Sequence, residues 1–440
     1  MRFYARTQEL AELQRIQKLS FEDHSRLTVV TGRRRIGKTS LIMKAVKDMP
    51  TVYLFVGRKN EATLCSEFIP IISRSLQVFV PEEIKTFRSL FQHMMELAID
   101  RPFHLVIDEF QEFYNINETV YSDMQNIWDQ YRRKSRMNLI VSGSIYSLMQ
   151  KIFQNSKEPL FGRADNIIKL SAFDLPTLKE IMRDYRPQYV NDDLLALYTF
   201  TGGVPKYVEL LCDNGMLSVD EMITFMARDN SPFTDEGKNM LIEEFGKNYA
   251  TYFSILSCIS GGINTQSEIE AALGEKSIGG QLKRLIEDYG IIARQRPILA
   301  KEGSLTIRYE ITDNFIRFWF NYFDRYRSLI EIKNFVGLQA IIKADYPTYS
   351  GKLLEAYFKQ QFAESYQYRA IGSWWEAKGA QNEIDIVALK LEKCQAVVAE
   401  VKRQKKNFKP ELLTAKVEHL KRKLLPKYQI ETRCLSLEDM

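Results

Sequence analysis

Cysteine is scarce in this chain, and long apolar runs are missing. Five cysteines, at positions 65, 212, 258, 394 and 434, are scattered through 440 residues without a CxxC pair. That spacing argues against a structural zinc site and a disulfide framework, and it fits a reducing compartment. No stretch reads as a membrane-spanning run, and the opening MRFYARTQELAEL lacks the apolar core of a signal peptide. The expectation is a cytoplasmic protein with no membrane partner. Low-complexity tracts and repeats of solenoid period are also lacking, which excludes fibrous and disordered classes. What the chain does hold is 45% hydrophobic residues, including 26 Phe and 22 Tyr, enough for two to four domains. A net charge of +5 permits an anionic partner without demanding one.

Gly32-Arg33-Arg34-Arg35-Ile36-Gly37-Lys38-Thr39 fits GxxxxGK[ST] at every fixed position. Glycines let backbone N–H groups turn toward phosphate oxygens, and the helix that follows, through Ser40, directs its positive end at the anion. Lys38 is expected at the β- and γ-phosphates of ATP, and Thr39 at Mg²⁺. The context agrees: Leu27-Thr28-Val29-Val30 is a buried-strand pattern, and Ser40 to Val46 continues as a helix. Phe103 to Ile107 is a second apolar strand, ending in Asp108 and Glu109. Behind a phosphate loop this pair reads as a Walker B, Asp108 on Mg²⁺ and Glu109 polarising the attacking water. A third strand, Asn138 to Val141, ends in Ser142-Gly143-Ser144; its hydroxyls either sense the γ-phosphate between the Walker strands or form an ordinary strand end.

Strand-like runs at 27–31, 51–56, 103–107, 138–142 and 167–170 alternate with helical patterns, the mark of a parallel sheet. With these motifs, residues 1 to 230 resemble the AAA+-like P-loop ATPases of the archaeal-type ATPase family. Phe3-Tyr4-Ala5-Arg6-Thr7-Gln8-Glu9-Leu10 is similar to that family's opening box, which implies that Arg6 lies in the adenine end of the site. Leu160-Phe161-Gly162-Arg163 and Thr201-Gly202-Gly203-Val204-Pro205-Lys206 resemble its later boxes. The resemblance makes Arg163 an arginine finger or sensor, against the alternative of a surface arginine capping a strand. Lys206 reads as a helix-start lysine in solvent.

After the lid, Tyr252 to Ile259, Asn264 to Leu273 and Gly280 to Ile286 read as three helices, followed by an alternating stretch through Ile311. That is the outline of a winged helix-turn-helix, either entering a DNA groove or packing as an adaptor. The third helix carries Lys283 and Arg284 against Glu287 and Asp288, which is not a strongly basic face. Asp313 to Phe323 is dense in aromatics at helical spacing and reads as a packed core helix rather than a base-stacking platform.

The last ninety residues carry a second signal. Asn382-Glu383-Ile384-Asp385 leads one strand, and Ala396 to Lys402 forms another with Glu400 and Lys402 on one face. Two carboxylates and a lysine at one sheet edge suit metal-dependent phosphodiester cleavage, with Asp385 and Glu400 on the metal and Lys402 on the water or phosphate. Glu355, in the preceding helix, is a further candidate ligand. The arrangement resembles the PD-(D/E)xK restriction-endonuclease-like fold, with Glu383-Ile384-Asp385 in place of Pro-Asp. From Lys402 to Lys427, ten basic residues face two acids, which suits a phosphate backbone.

The expected architecture is therefore α/β. It comprises a P-loop parallel-sheet ATPase core (1–172), a helical lid (173–245), a winged helix with aromatic linker helices (246–345), and a restriction-endonuclease-like domain (346–440). The expected function is ATP binding and hydrolysis with Mg²⁺, directed at DNA, in a homo-oligomer. A nucleotide switch whose C-terminal domain only binds a partner is the alternative.

Overall fold

The structure is a computed structural model that describes residues 1–246, 249–301, 303, 307–376 and 382–440. The chain divides into two compact units, residues 3–172 and residues 1–2 with 173–440.

In the first unit, β1 (Arg26–Thr31), β2 (Thr51–Phe55), β3 (Phe103–Asp108), β4 (Met137–Ser142) and β5 (Asn166–Lys169) form a five-stranded sheet in the order β2-β3-β4-β1-β5. Every neighbouring pair is parallel. All residues of β3 and β4 are buried, because a parallel sheet has its faces covered by crossover helices; this is why those strands read as unbroken apolar runs. Alternation divides the core between the two faces. Val29, Leu105, Ile107, Leu139 and Val141 join one cluster, and Val30, Val106 and Ile140 join the other with Leu41 and Ile42 of the helix Lys38–Ala45. Register pairs Val30 with Ser142 and Ile107 with Val141. The ends of β1, β4 and β3 therefore line up at one edge, with β4 between the other two. That edge, at the carboxyl ends of the strands, is where open α/β sheets bind ligands.

In the second unit, five helices between Leu175 and Phe245 precede Tyr249–Ser260, Gln266–Leu273 and Gly279–Glu287. An antiparallel hairpin of β6 (Ile292–Gln295) and β7 (Arg308–Ile311) follows. The aromatic stretch forms the helices Asn314–Phe318 and Trp319–Asp324, and Phe315, Phe318, Trp319, Phe320, Tyr322 and Phe323 are all buried. Trp319 Nε1 donates to the Thr234 carbonyl at 2.8 Å, so the stretch is core.

The helix Phe335–Glu364 runs unbroken through the boundary expected at 345/346, with Pro347 inside it. A buried stripe of Leu338, Ile342, Tyr346, Ser350, Leu353, Leu354, Tyr357, Phe358 and Phe362 extends on both sides of the proline. Burial on that scale outweighs the ~3 kcal/mol that an internal proline costs. Next come β8 (Tyr368–Trp374), β9 (Ile384–Lys390), β10 (Gln395–Val401) and β11 (Gln429–Leu435), in the sheet order β11-β10-β9-β8. The β8-β9 and β9-β10 pairs are antiparallel. β10 and β11 are parallel, and the helix Pro410–Lys423 lies between them in sequence. No helix among the described residues is long and apolar enough to cross a membrane.

Candidate nucleotide site and C-terminal carboxylate cluster

The loop after β1 depends on backbone shapes that few residues adopt. Gly32 has φ +150°, and a Cβ there would lie 2.9 Å from the Leu170 carbonyl oxygen. Gly37 has φ +89° and immediately precedes the helix that starts at Lys38. Arg35 also takes a left-handed φ of 67°. Ile36 is buried and anchors the loop to the core, whereas Arg34, Thr39 and Ser40 are exposed and Arg33 and Arg35 half-buried.

Lys38 is only 7% exposed, and its Nζ donates to the Gly32 and Arg33 carbonyls at 2.9 and 3.1 Å. Thr39 Oγ1 donates to Asp108 Oδ2 at 3.0 Å. The Tyr53 hydroxyl from β2 donates to the same oxygen at 2.6 Å, and Ser142 Oγ donates to the other one. Three hydroxyls from three elements thus converge on one buried carboxylate. Burial and the bond to Asp108 push the Tyr53 phenol up, so it remains a proton donor. Glu109 follows with φ 54°, a left-handed turn that swings its side chain off the strand line. Its Oε2 accepts from Gln111 Nε2 at 2.5 Å and Ser144 Oγ at 2.7 Å.

Arg6 donates to the carbonyls of Ile36 and Ser171 and pairs with Glu9 at 3.2 Å. It clamps the loop to the segment after β5, a structural role for the residue expected near adenine. Arg163 donates to Asp129 Oδ2 at 3.1 Å and to the Phe161 carbonyl at 3.0 Å, the contacts of a cap ahead of β5. Lys206 pairs with Glu209 on its own helix at 2.7 Å.

The second cluster lies on the C-terminal sheet. Asp385 Oδ2 accepts from the Val401 N–H at 2.8 Å, which ties β9 to β10 at the point where Glu400 and Lys402 project. Lys402 Nζ donates to Glu400 Oε1 at 2.9 Å and stands 4.0 Å from Asp385. Burial and the neighbouring Asp385 push Glu355 up to about 7. Burial and Glu400 likewise raise Asp385, against the pull of the Val401 N–H. Burial lowers Lys402, but its contact with Glu400 outweighs this and leaves it raised.

Among the described residues, no group of three or more His, Cys, Asp or Glu side chains is placed to hold a metal ion. The expected trio of Glu355, Asp385 and Glu400 is thus not assembled as a ligand set; Asp385 acts on Glu355 through its charge. Lys416 was not foreseen. Its Nζ donates to both oxygens of Glu400 at 3.3 and 3.1 Å. Tyr53 and Gln111 were missed too. The signal for Lys416 is its place three residues after Leu413 and one before Val417, both buried on the helix Pro410–Lys423.

A strand-loop-helix phosphate cradle, a strand-end carboxylate and a five-stranded parallel sheet define the class: a P-loop fold of the nucleotide-binding kind. More narrowly, residues 3–211 match the family described as an ATPase domain predominantly from Archaea. Residues 319–417 match a family described as archaeal and bacterial proteins of unknown function. Along most of its length the chain is similar to an uncharacterized protein of Methanocaldococcus jannaschii, 29% identical over 417 residues, covering 91% of this chain and 87% of that one. Among solved structures it is similar to the Walker-type ATPase PABY2304 of Pyrococcus abyssi, with a TM-score of 0.52 at 18% identity, covering 72% of this chain and 96% of that one. The ORC2 protein of Aeropyrum pernix, in ADPNP and ADP complexes, matches with a TM-score of 0.47 at 14% identity, over 78% and 96% of the two chains.

Proposed function

We propose that the protein binds and hydrolyses ATP and uses the cycle to act on DNA through its C-terminal half. The observation that carries the ATPase reading is the 3.0 Å hydrogen bond from Thr39 to Asp108, with Ser142 on the carboxylate's other oxygen. This is a set of hard oxygen donors at the mouth of the phosphate loop, which suits Mg²⁺. A magnesium ion held by Thr39 and Asp108 would offset charge on the β- and γ-phosphates. Lys38 exchanges its loop carbonyls for phosphate oxygens, and Glu109 holds and orients the water that attacks the γ-phosphate. Gln111 and Ser144 fix Glu109 in that position.

The order helix, three antiparallel strands, helix, parallel strand, with Asp385 and Glu400-x-Lys402 on adjoining strands, supports a restriction-endonuclease-like domain. Three helices and a hairpin support a winged helix before it. Both oxygens of Glu400 carry lysine contacts, so a metal at Glu400 has to displace Lys416, and engagement of a DNA backbone is the firmer half of the reading. A test is to incubate purified protein with Mg²⁺ or Mn²⁺, ATP, and plasmid or single-stranded DNA. Nicking that Asp385→Ala and Glu400→Ala abolish, with ATPase intact, establishes the nuclease. Salt-sensitive binding without nicking leaves a DNA-binding module, and neither nicking nor binding removes the DNA reading.

One observation favours a second reading, a nucleotide switch. Arg403, next to Lys402, donates to Asp192 at 2.8 Å, and Tyr346 Oη donates to the same carboxylate at 2.9 Å. The region expected to be the lid is thereby joined to the end of β10, so a change in that region can reach the C-terminal sheet without cleavage.

A further inference from the structure

Within the second unit, a cavity of about 370 Å³ opens among the hairpin β6-β7, the end of the helix Tyr249–Ser260, the long helix Phe335–Glu364, and β8. That volume falls in the range of small-molecule sites, ~300–1,000 Å³. Its acids are largely committed. Arg308 pairs with Glu383 at 2.7 Å, Arg317 with Glu310 at 2.6 Å, and Asp345 accepts from the Tyr322 hydroxyl at 2.7 Å.

Its cations are not all committed. Arg325, Lys352 and Lys359 line the cavity and have no ion-pair partner among the described residues. Trp375 also lines it, is 6% exposed, and buries an indole Nε1 that has no hydrogen-bond partner among the described residues. Indole N–H is a donor only, and an unmet buried donor costs ~1–3 kcal/mol. The Arg308 guanidinium stacks over this indole with its carbon 4.6 Å from the ring centroid, and the bond to Glu383 fixes its plane. Three uncommitted groups are thus positive, beside a flat guanidinium of the kind on which bases stack, while the Glu355 carboxyl and the Tyr349 hydroxyl, the latter without a hydrogen-bond partner among the described residues, share the lining.

We propose that this cavity is a nucleotide-binding site, separate from the phosphate loop, that takes the phosphoryl group of a nucleotide on Arg325, Lys352 and Lys359. The base lies against Arg308, which rests on the Trp375 indole. The nucleotide is either a free mononucleotide or a residue of a single strand. In the second case the site deepens the DNA reading above, since Glu355 and Glu383 line the same cavity.

The test uses full-length Lys38→Ala protein, which silences the phosphate loop, titrated calorimetrically with nucleoside 5′-monophosphates and with a short single-stranded oligonucleotide. Binding of either probe is expected, weakened about tenfold or more by Arg325→Ala and by Lys352→Ala. Trp375→Phe removes the indole on which Arg308 rests, and it is expected to weaken binding; circular dichroism at the binding temperature confirms that the variant stays folded. A mononucleotide that binds marks a free ligand; an oligonucleotide that binds alone marks a strand. No binding by either probe, or binding indifferent to all three substitutions, overturns the proposal. DNA nicking and ATPase activity of Trp375→Phe protein with Lys38 intact, measured separately, show whether the earlier reading fails or stands on its own.

Discussion

Replacing Glu109 with glutamine isolates the chemical step from nucleotide binding. The side chain keeps its shape and one oxygen, so Ser144, at 2.7 Å, retains an acceptor. Gln111 donates to the same oxygen, at 2.5 Å, so the glutamine oxygen keeps both bonds in the Oε2 place, and loss of the charge weakens them at a cost of about 1 kcal/mol. Folding should barely register this, and a melting curve should shift by only a few degrees, on the order expected for such a cost. Lys38, Thr39 and Asp108 are untouched, so the dissociation constant for ATP should stay within a few-fold. Turnover should fall by ~10²–10⁴-fold, or ~3–5 kcal/mol of barrier, the usual worth of a positioned general base. The assay pairs titration of a fluorescent ATP analogue with phosphate release at saturating ATP. Turnover within tenfold of the parent protein, or a dissociation constant that rises in step with the loss of turnover, would refute the role given to Glu109.

Gly143→Ala places a Cβ against Gln111 Oε1 and 2.5 Å from Met149 Sδ; overpacking of this kind costs ~1–3 kcal/mol, so differential scanning calorimetry should show a lower melting temperature and phosphate release should slow as Gln111 shifts off Glu109. Arg163→Ala breaks a half-exposed pair with Asp129, worth at most ~1 kcal/mol, and should leave ATPase activity unchanged; a large loss, restored on mixing with Lys38→Ala protein, would instead place Arg163 across a subunit interface. Glu355 is raised from 4.5 to about 7, so the folded state holds a proton that the unfolded state has lost. Its stabilising share is complete below the lower value and gone above the upper one, and Glu355→Gln should raise the melting temperature relative to the parent above pH 7 but not in acid. Lys416→Ala frees one side of Glu400, and calorimetric titration with Mn²⁺ should show tighter binding than in the parent protein.

The five-stranded parallel sheet was legible because its strands are buried on both faces, and such strands announce themselves as apolar runs with an acid or a glycine at the end. All five formed within a residue or so of the expected spans. The phosphate loop was legible for a different reason: its left-handed positions and its lysine are fixed by local chemistry. What escaped were contacts made by folding distant segments together. Tyr53 reaches Asp108 only because β2 lies beside β3. Lys416 reaches Glu400 only because its helix packs near β10, and a lysine in a basic stretch looks the same whether it faces water or a carboxylate. The unbroken helix through Pro347 was hidden likewise, since a local breaker signal says nothing about the stripe of tertiary contacts that overrides it.

The most direct measurement is steady-state ATP hydrolysis by the full-length protein with Mg²⁺, with and without DNA, beside the Lys38→Ala variant. The account predicts multiple turnovers that DNA accelerates and that Lys38→Ala abolishes. Hydrolysis that stops after a single turnover with ADP retained, indifferent to DNA, would contradict it and leave the nucleotide switch.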